Sequence, residues 1–310
     1  MNIFYLAAGF GKRLLPHTLT YAKPTIPFLN VPMGLYQFQY LKNVGQTINN
    51  FVVNTHHLPE QIEKLYLTQP YMLLSPLFSH EPKILGSAGG LKQAIGHFKS
   101  NQPIVMMNAD EVYFTQQQDF LNEALEEHKK TGALATLVVV KHSEAGKKFG
   151  AISCSGRVVK HISKTLVDPN LVPWHYIGVM IVSWNIMNLI PDYKETNIFY
   201  DILVHHLDKV RIFPLAAEWY ETGNKNDFLS ASEIVLSQIN NYKGLTQFIN
   251  TFDLSTVISN PKTTALISKS HKVDAKNLSG FVSINKSAVI TPNQLFDNGV
   301  YFDKQAIRYE

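Results

Sequence analysis

The feature that most constrains the fold is an alternation over the first 150 positions. Short apolar runs ("NIFYLAAG", "NNFVVNTHH", "QPIVMMNADE", "GALATLVVVK") take turns with helically spaced segments ("GLYQFQYLKNVGQ", "PEQIEKLYL", "GGLKQAIGHF", "QDFLNEALEEHKKTG"). Apolar runs of about five residues bounded by glycine or polar residues read as buried strands. Because parallel strands need long crossovers, the order predicts an α/β protein with a mixed, mostly parallel sheet flanked by helices. Ligands of such sheets sit beyond the carboxyl ends of the strands. Gly9, His56 and Asp110 each fall just past such an end and are placed to share one cleft.

After Gly150 the texture becomes β-rich ("GAISCSGRVVKHIS", "WHYIGVMIVSW"). A helix is predicted around "NIFYDILVHHLD", a strand at "KVRIFPLAA" and a helix at "NDFLSASEIVLSQINN". From Tyr242 onward short apolar steps replace long periodic segments, which places a boundary near residue 240, between a main domain (1–240) and a C-terminal extension (241–310).

Composition excludes several classes. No apolar run approaches the roughly 18 residues of a membrane span. The apolar start, Met1 to Ala8, is too short for an export leader, so a cytoplasmic chain with no membrane contact is expected. The excess of 28 basic over 24 acidic residues is scattered. It therefore argues against nucleic acid, whose footprint would cluster on one face, and suits anionic small molecules. The single cysteine, Cys154, lies in a predicted strand and reads as structural. His56–His57 on a strand end and His205–His206 on a helix are adjacent pairs that point apart, so no zinc site is expected.

The chemistry concentrates in "LAAGFGKRLLPHTLTYAKP", Leu6 to Pro24. Leu14 stands where a dinucleotide fingerprint needs its third glycine, and no Lys-Ser or Lys-Thr follows at P-loop spacing. What remains is a glycine loop with Lys12, Arg13 and Lys23, whose main-chain N–H groups and cations suit an anion. From these residues alone a phosphate cradle and a surface turn stay equally open.

The full stretch, "LAAGFGKRLLPHTLTYAKPTIPFLNVP", resembles the signature of sugar-1-phosphate nucleotidylyltransferases, L-A-A-G-x-G-x-R-L-x-P-x-T followed by P-K-P. Further segments resemble that family in its order: "HEPKILGSAGGLKQA", "VMMNADEVY", "KKFGAISCSGRVVKHISK", "WHYIGVMIVSWNIMNLIP" and "EWYETGNKNDFLSASE". The resemblance runs from residue 1 to about 236 and is closest in style to mannose-1-phosphate guanylyltransferases and related hexose-1-phosphate enzymes.

The resemblance implies a Rossmann-like nucleotidyltransferase fold and the reaction of a nucleoside triphosphate with a sugar-1-phosphate, giving a nucleoside-diphosphate sugar and pyrophosphate. GTP with mannose-1-phosphate, or a related hexose or heptose phosphate, is the implied pair. The demand is to neutralise charge and hold two anions together. Arg13 and the amides around Gly9, Gly11 and Lys12 are implied for the leaving phosphates, Lys23 for the transferring phosphoryl group and Lys164 for the sugar phosphate. Asp110 and Glu221 are implied as hard oxygen ligands of Mg²⁺. Leu6, Ala7, Ala8, Gly86 and Asn108 would line the nucleotide, and Glu81 would accept from base amino or imino groups. Gly150, Tyr176 and Gly178 would lie along the sugar.

Five places depart from the family pattern: Ala22 for proline, Ser163 for glutamate, Tyr176 where many members have asparagine, Glu221 for aspartate, and "GNK" (Gly223 to Lys225) for G-T-P, with Asn224 at its centre. They keep two alternatives in view, a uridylyltransferase acting on an (amino)sugar-1-phosphate and a catalytically weak, nucleotide-sugar-binding regulatory subunit. The tail, "LSGFVSINKSAVITPNQLFDNGVYF", resembles degenerate coils of the left-handed β-helix that some members append. So few coils need the main domain or a second chain to cover their edge, and a homodimer through the tail is the second of these alternatives.

Overall fold

The first apolar run forms strand β1 (Asn2–Leu6), buried along nearly its whole length, as a strand must be when both its neighbours in the sheet are parallel to it. The computed structural model describes residues 1–42, 44, 48–68 and 74–309. Within them the chain divides into two compact units, neither of which is one continuous stretch.

The first unit comprises Met1–Gly9, Tyr40–Ala109 and Thr115–Trp219. Its strands are β1, β2 (Asn50–Thr55), β3 (Pro76–His80), β4 (Ile104–Asn108), β5 (Ala135–Val140), β6 (Ala151–Ser155), β7 (Val158–Ser163), β8 (Val172–Val182) and β9 (Val210–Pro214). They make one sheet in the order β3-β2-β1-β4-β8-β5-β9-β7-β6, with β8 also pairing β6. The pairs β3–β2, β2–β1, β1–β4 and β5–β9 are parallel. All pairs made by β7 and β8 are antiparallel. The expectation of a mostly parallel sheet therefore holds for the β3-to-β4 half only. After Ala151 the chain turns back through the β6–β7 hairpin, with no helical crossover to restore the direction.

Register matters more than count. Leu6 pairs with Asn54 on one side and Asn108 on the other, so two asparagines flank the end of β1 where the glycine loop begins.

Helices α1 (Pro59–Leu67), α2 (Gly86–Gln93) and α3 (Phe120–Thr131) fill the crossovers. Phe120, Leu121, Ala124, Leu125 and His128 form the buried stripe of α3, which packs on β5, β8 and β9. The segment "GLYQFQYLKNVGQ" yields a single helical turn, Phe38–Leu41, and Asn43, Gly45 and Gln46 lie outside the described residues. The helix expected at "NIFYDILVHHLD" is replaced by a π turn, Ile198–Ile202, and short 3-10 turns, Leu203–His205 and Leu207–Lys209. Ile198, Ile202 and Leu203 are still buried. Their apolar spacing found the packing face but not the backbone hydrogen bonding, which Asn197 redirects by accepting from Phe199 N and Tyr200 N. Cys154 is buried in the core, and burial pushes its thiol up to about 12, so it is a packing residue.

The second unit comprises Phe10–Gln39, Asp110–Phe114 and Tyr220–Glu310, so it crosses the sequence boundary near 240. It holds α4 (Lys225–Ser237), α5 (Leu245–Phe252) and a sheet of β10 (Ser255–Asn260), β11 (Thr263–Ser268), β12 (Leu278–Ile284), β13 (Phe296–Phe302) and β14 (Gln305–Arg308) in chain order. The inner pairs β11–β12 and β12–β13 are parallel, and the outer pairs are antiparallel.

An edge-to-face aromatic cluster joins the early segment to the late one: Phe28 meets Tyr36 at 5.5 Å and Phe228 at 5.8 Å, and Tyr36 meets Phe248 at 5.5 Å. Buried Asn30 adds a polar lock. Its Nδ2 donates to Ser255 Oγ and Ile284 O, its Oδ1 accepts from Ser283 Oγ, and its carbonyl accepts from Asn285 Nδ2, all within 3.0 Å. Among the described residues no helix is long and apolar enough to cross a membrane.

Candidate active site

In the first unit the strand ends build a backbone cradle. Asn54 Oδ1 accepts from Ala7 N at 2.7 Å and Ala8 N at 3.3 Å, which fixes the chain leaving β1. The amide of Asn54 is itself oriented by Glu81, whose Oε1 accepts from Asn54 Nδ2 at 2.7 Å. Glu81 Oε2 accepts from Leu85 N at 2.9 Å, ahead of α2. Each oxygen accepts one of these bonds, and with only 1% of its surface exposed Glu81 braces both Asn54 and the backbone at Leu85. Burial raises its carboxyl above the usual range, against the lowering effect of the Leu85 and Asn54 hydrogen bonds.

Gly86 has φ +71°, and a Cβ there would stand 2.6 Å from Thr196 O, so close backbone packing demands glycine at this position. A Cβ on Gly9 would meet nothing within 4 Å, which leaves its side of the loop open to a ligand. Asn108 ends β4 next to Leu6.

The sugar-side positions also lie in the first unit. Lys164 is exposed just beyond β7, and Gly150 is exposed just before β6. Gly178 lies where the β8–β5 register shifts, between Tyr176 and Met180. Tyr176 packs edge-on against Phe199 at 4.9 Å. Its neighbour His175 sits against Trp219 at 4.0 Å, Phe149 at 5.2 Å and His142 at 5.7 Å. Burial, with His142 nearby, lowers the His175 imidazole to about 4, so it is neutral.

In the second unit the cations and carboxylates come together in pairs. Lys23, 7% exposed, places Nζ 2.7 Å from Asp110 Oδ2. Arg13, largely exposed, reaches Glu221 Oε2 at 3.4 Å, and Glu221 Oε1 accepts from Gly223 N. Thr222 Oγ1 donates to Asp110 O at 3.0 Å, which ties the segment carrying Glu221 to the one carrying Asp110.

Gly11 takes φ +62°, and a Cβ there would meet Thr18 Cγ2 at 2.9 Å and Lys23 Cβ at 3.2 Å. Thr18, buried, donates to Gly11 O at 3.0 Å. Lys12 is exposed, with its ammonium 5.2 Å from the Phe10 ring centroid. Asn224 serves as the N-cap of α4, accepting from Asp227 N at 3.0 Å. Its departure from G-T-P therefore has a structural role.

Sequence reasoning missed Asn54, Thr18 and Thr222. Asn54 had a readable signal, its place at a strand end opposite Leu6; the two threonines had none, because their partners are backbone carbonyls. Among the described residues no three His, Cys, Asp or Glu side chains cluster as a metal site.

Comparison with known proteins identifies the family. The family model for nucleotidyl transferase matches residues 4–238. The mannose-1-phosphate guanyltransferase of Saccharomyces cerevisiae is 31% identical over 249 residues, 77% of this chain and 66% of that protein. The Dictyostelium discoideum mannose-1-phosphate guanylyltransferase catalytic subunit beta is 29% identical over 250 residues, with the same coverage. The chain thus spans about two thirds of the length of these curated relatives.

Among solved structures, a putative glucose-1-phosphate thymidylyltransferase from Bacillus anthracis superposes with a TM-score of 0.64 at 19% identity, over 76% of this chain and 94% of that one. HddC from Yersinia pseudotuberculosis, complexed with GMP-PN, gives 0.61 at 18%, over 75% and 98%. These likenesses establish a shared α/β fold. With the family model covering the glycine loop, both ion pairs and α4, the chain belongs to the nucleotidyl transferase family.

Proposed function

We propose that the chain is a sugar-1-phosphate nucleotidylyltransferase, with GTP and mannose-1-phosphate or a related hexose or heptose phosphate as the substrate pair. The observation that carries this reading is the double pairing in one unit, Lys23 with Asp110 and Arg13 with Glu221, on the segment that matches the family signature. The reaction joins two anions, and its transition state gathers negative charge on the transferring and leaving phosphates. Preplaced cations stabilise that charge. Arg13, with the amides of Gly11 and Lys12, would hold the leaving phosphates, and Lys23 the transferring phosphoryl group. Lys164 would hold the sugar phosphate.

The carboxylates of Asp110 and Glu221 are hard oxygen donors beside cations that bind phosphate, so they fit a divalent cation. We infer this to be Mg²⁺. When bound, it would neutralise phosphate charge and help orient the triphosphate. Leu6 to Gly9, Gly86 and Asn108 would line the base, with Glu81 acting through Asn54. Gly150, Tyr176 and Gly178 would contact the sugar, and the Tyr176 ring narrows the choice of hexose. The two parallel pairs β11–β12 and β12–β13 support reading Thr264 to Tyr301 as degenerate coils of a left-handed β-helix, with the antiparallel β10 and β14 outside that pattern; a homodimer through the tail and a cytoplasmic location complete the reading.

Pyrophosphate release over a panel of four nucleoside triphosphates and several sugar-1-phosphates tests it. Turnover that is fastest with GTP and a mannose-type phosphate is expected. Nucleotide binding without release under every pairing would leave the regulatory-subunit reading, which Glu221 and Ser163 favour.

A further inference from the structure

The segment between Gly11 and Lys23 contains no strand, only the short 3-10 turns Lys12–Leu14 and His17–Leu19. Its placement therefore depends on what it packs against. On one side Thr18 bonds Gly11 O, and Gly11 is in turn packed against Thr18 and Lys23. On the other side lies the turn between β13 and β14, almost 300 positions away in sequence and in the same compact unit.

Three side-chain hydrogen bonds make that contact. Tyr21 OH donates to Asp303 Oδ2 at 2.8 Å. Gln305 Oε1 meets His17 Nδ1 at 2.9 Å, while its Nε2 donates to Thr20 Oγ1 at 2.8 Å. The Tyr21 ring also stands edge-on to Phe302 at 5.3 Å. Asp303 is a fixed anchor: Ser287 Oγ lies 3.1 Å from its N, and its carbonyl accepts from Val289 N. Burial and the Asp303 carboxylate push the Tyr21 phenol up to about 12, which keeps it a donor.

We propose that Asp303 and Gln305 are positioning residues: the C-terminal turn clamps His17–Tyr21 and thereby sets the distance between Gly11 and Lys23. The inference rests on the nucleotidyl-transfer reading for its kinetic consequence, though not for its structural one. Displacement of a reacting group by about 1 Å can lower turnover about a hundredfold. A clamp acting at one remove is expected to be worth roughly a tenth of that effect.

The test uses the full chain carrying Asp303→Ala, Gln305→Ala, Asp303→Asn and Tyr21→Phe. For Asp303→Ala and Gln305→Ala, kcat should fall about tenfold with KM for the sugar phosphate unchanged, and amide exchange over residues 17–23 should rise. Asp303→Asn keeps an acceptor for Tyr21 and should restore kcat. Tyr21→Phe combined with Asp303→Ala should be no worse than either alone.

Unchanged kcat and unchanged exchange over 17–23 in the alanine variants would overturn the proposal, as would an asparagine variant as slow as the alanine one. Tyr21→Phe removes a single hydroxyl and serves if an alanine variant does not fold. If the unsubstituted chain releases no pyrophosphate with any pair, the functional reading fails, and exchange over 17–23 alone decides the clamp.

Discussion

Lys23 and Asp110 are joined at 2.7 Å, but unequally: the lysine side chain is 9% exposed and the carboxylate 34%. Removing either partner therefore has different consequences. Without Lys23, Asp110 can be hydrated; without the Asp110 charge, an ammonium stays buried beside a weaker acceptor.

Lys23→Met should accordingly abolish most turnover, a loss of at least about a hundredfold for a charge-stabilising group, with little change in stability. Asp110→Asn should also lower turnover and cost about 1–3 kcal/mol of stability, since the hydrogen bond it weakens is to a charged group. Pyrophosphate release and urea denaturation of both variants check the asymmetry. Equal stabilities would argue against it.

Glu81 offers a second contrast. If it braces Asn54 and Leu85 N, Glu81→Gln must leave one of those donors without an acceptor, at about 1–3 kcal/mol, and KM for the nucleotide should rise along with the loss of stability. A change in KM alone, at unaltered melting temperature, would instead mark it as a direct base reader.

His128 predicts a pH dependence. Ser183 Oγ donates to Ala133 O, so it accepts from His128 Nε2–H, and Nδ1 accepts from Thr136 Oγ1. Burial holds this neutral imidazole at about 4, below its ordinary 6.5. Between those values the unfolded chain binds a proton that the folded chain does not. The contribution is therefore complete above about pH 6.5 and lost as pH falls toward 4, up to about 3 kcal/mol. His175, lowered to about 4 by burial, acts in the same direction. Urea midpoints from pH 7 to 4.5 should fall less steeply for His128→Gln than for the unsubstituted chain.

Asn224 caps α4 and also donates to Asp227 Oδ2 at 2.6 Å. Asn224→Ala should cost about 1 kcal/mol, whereas Asn224→Ser should recover most of it. Thermal denaturation distinguishes this from a role in chemistry, which would lower kcat in both.

The sequence made β1, β2, β4 and β5 readable because each is a buried, mostly apolar run, and Asp110 was findable because it follows such a run. Glycine, arginine and lysine spacing carried Arg13 and Lys23. Asn54 escaped because its role comes from register: it matters only once β2 lies beside β1 and Leu6 faces it. Glu81 was noticed, but its burial and the donors around it were not readable, since spacing shows neither. The pairing around β8 was unreadable for a related reason, as an apolar run has the same pattern in either direction.

Asn30 ends the matter of where this chain can be cut. Its bonds to Ser255, Ser283, Ile284 and Asn285 mean that the glycine-loop segment and the C-terminal strands share one interior. A chimera joined near residue 240, with the tail of another family member grafted on, would break that interior while seeming to respect a domain border. Recombination between relatives should succeed only when residues 10–39 travel with the tail, so inheritance in this chain runs by shared interior and not by linear segment.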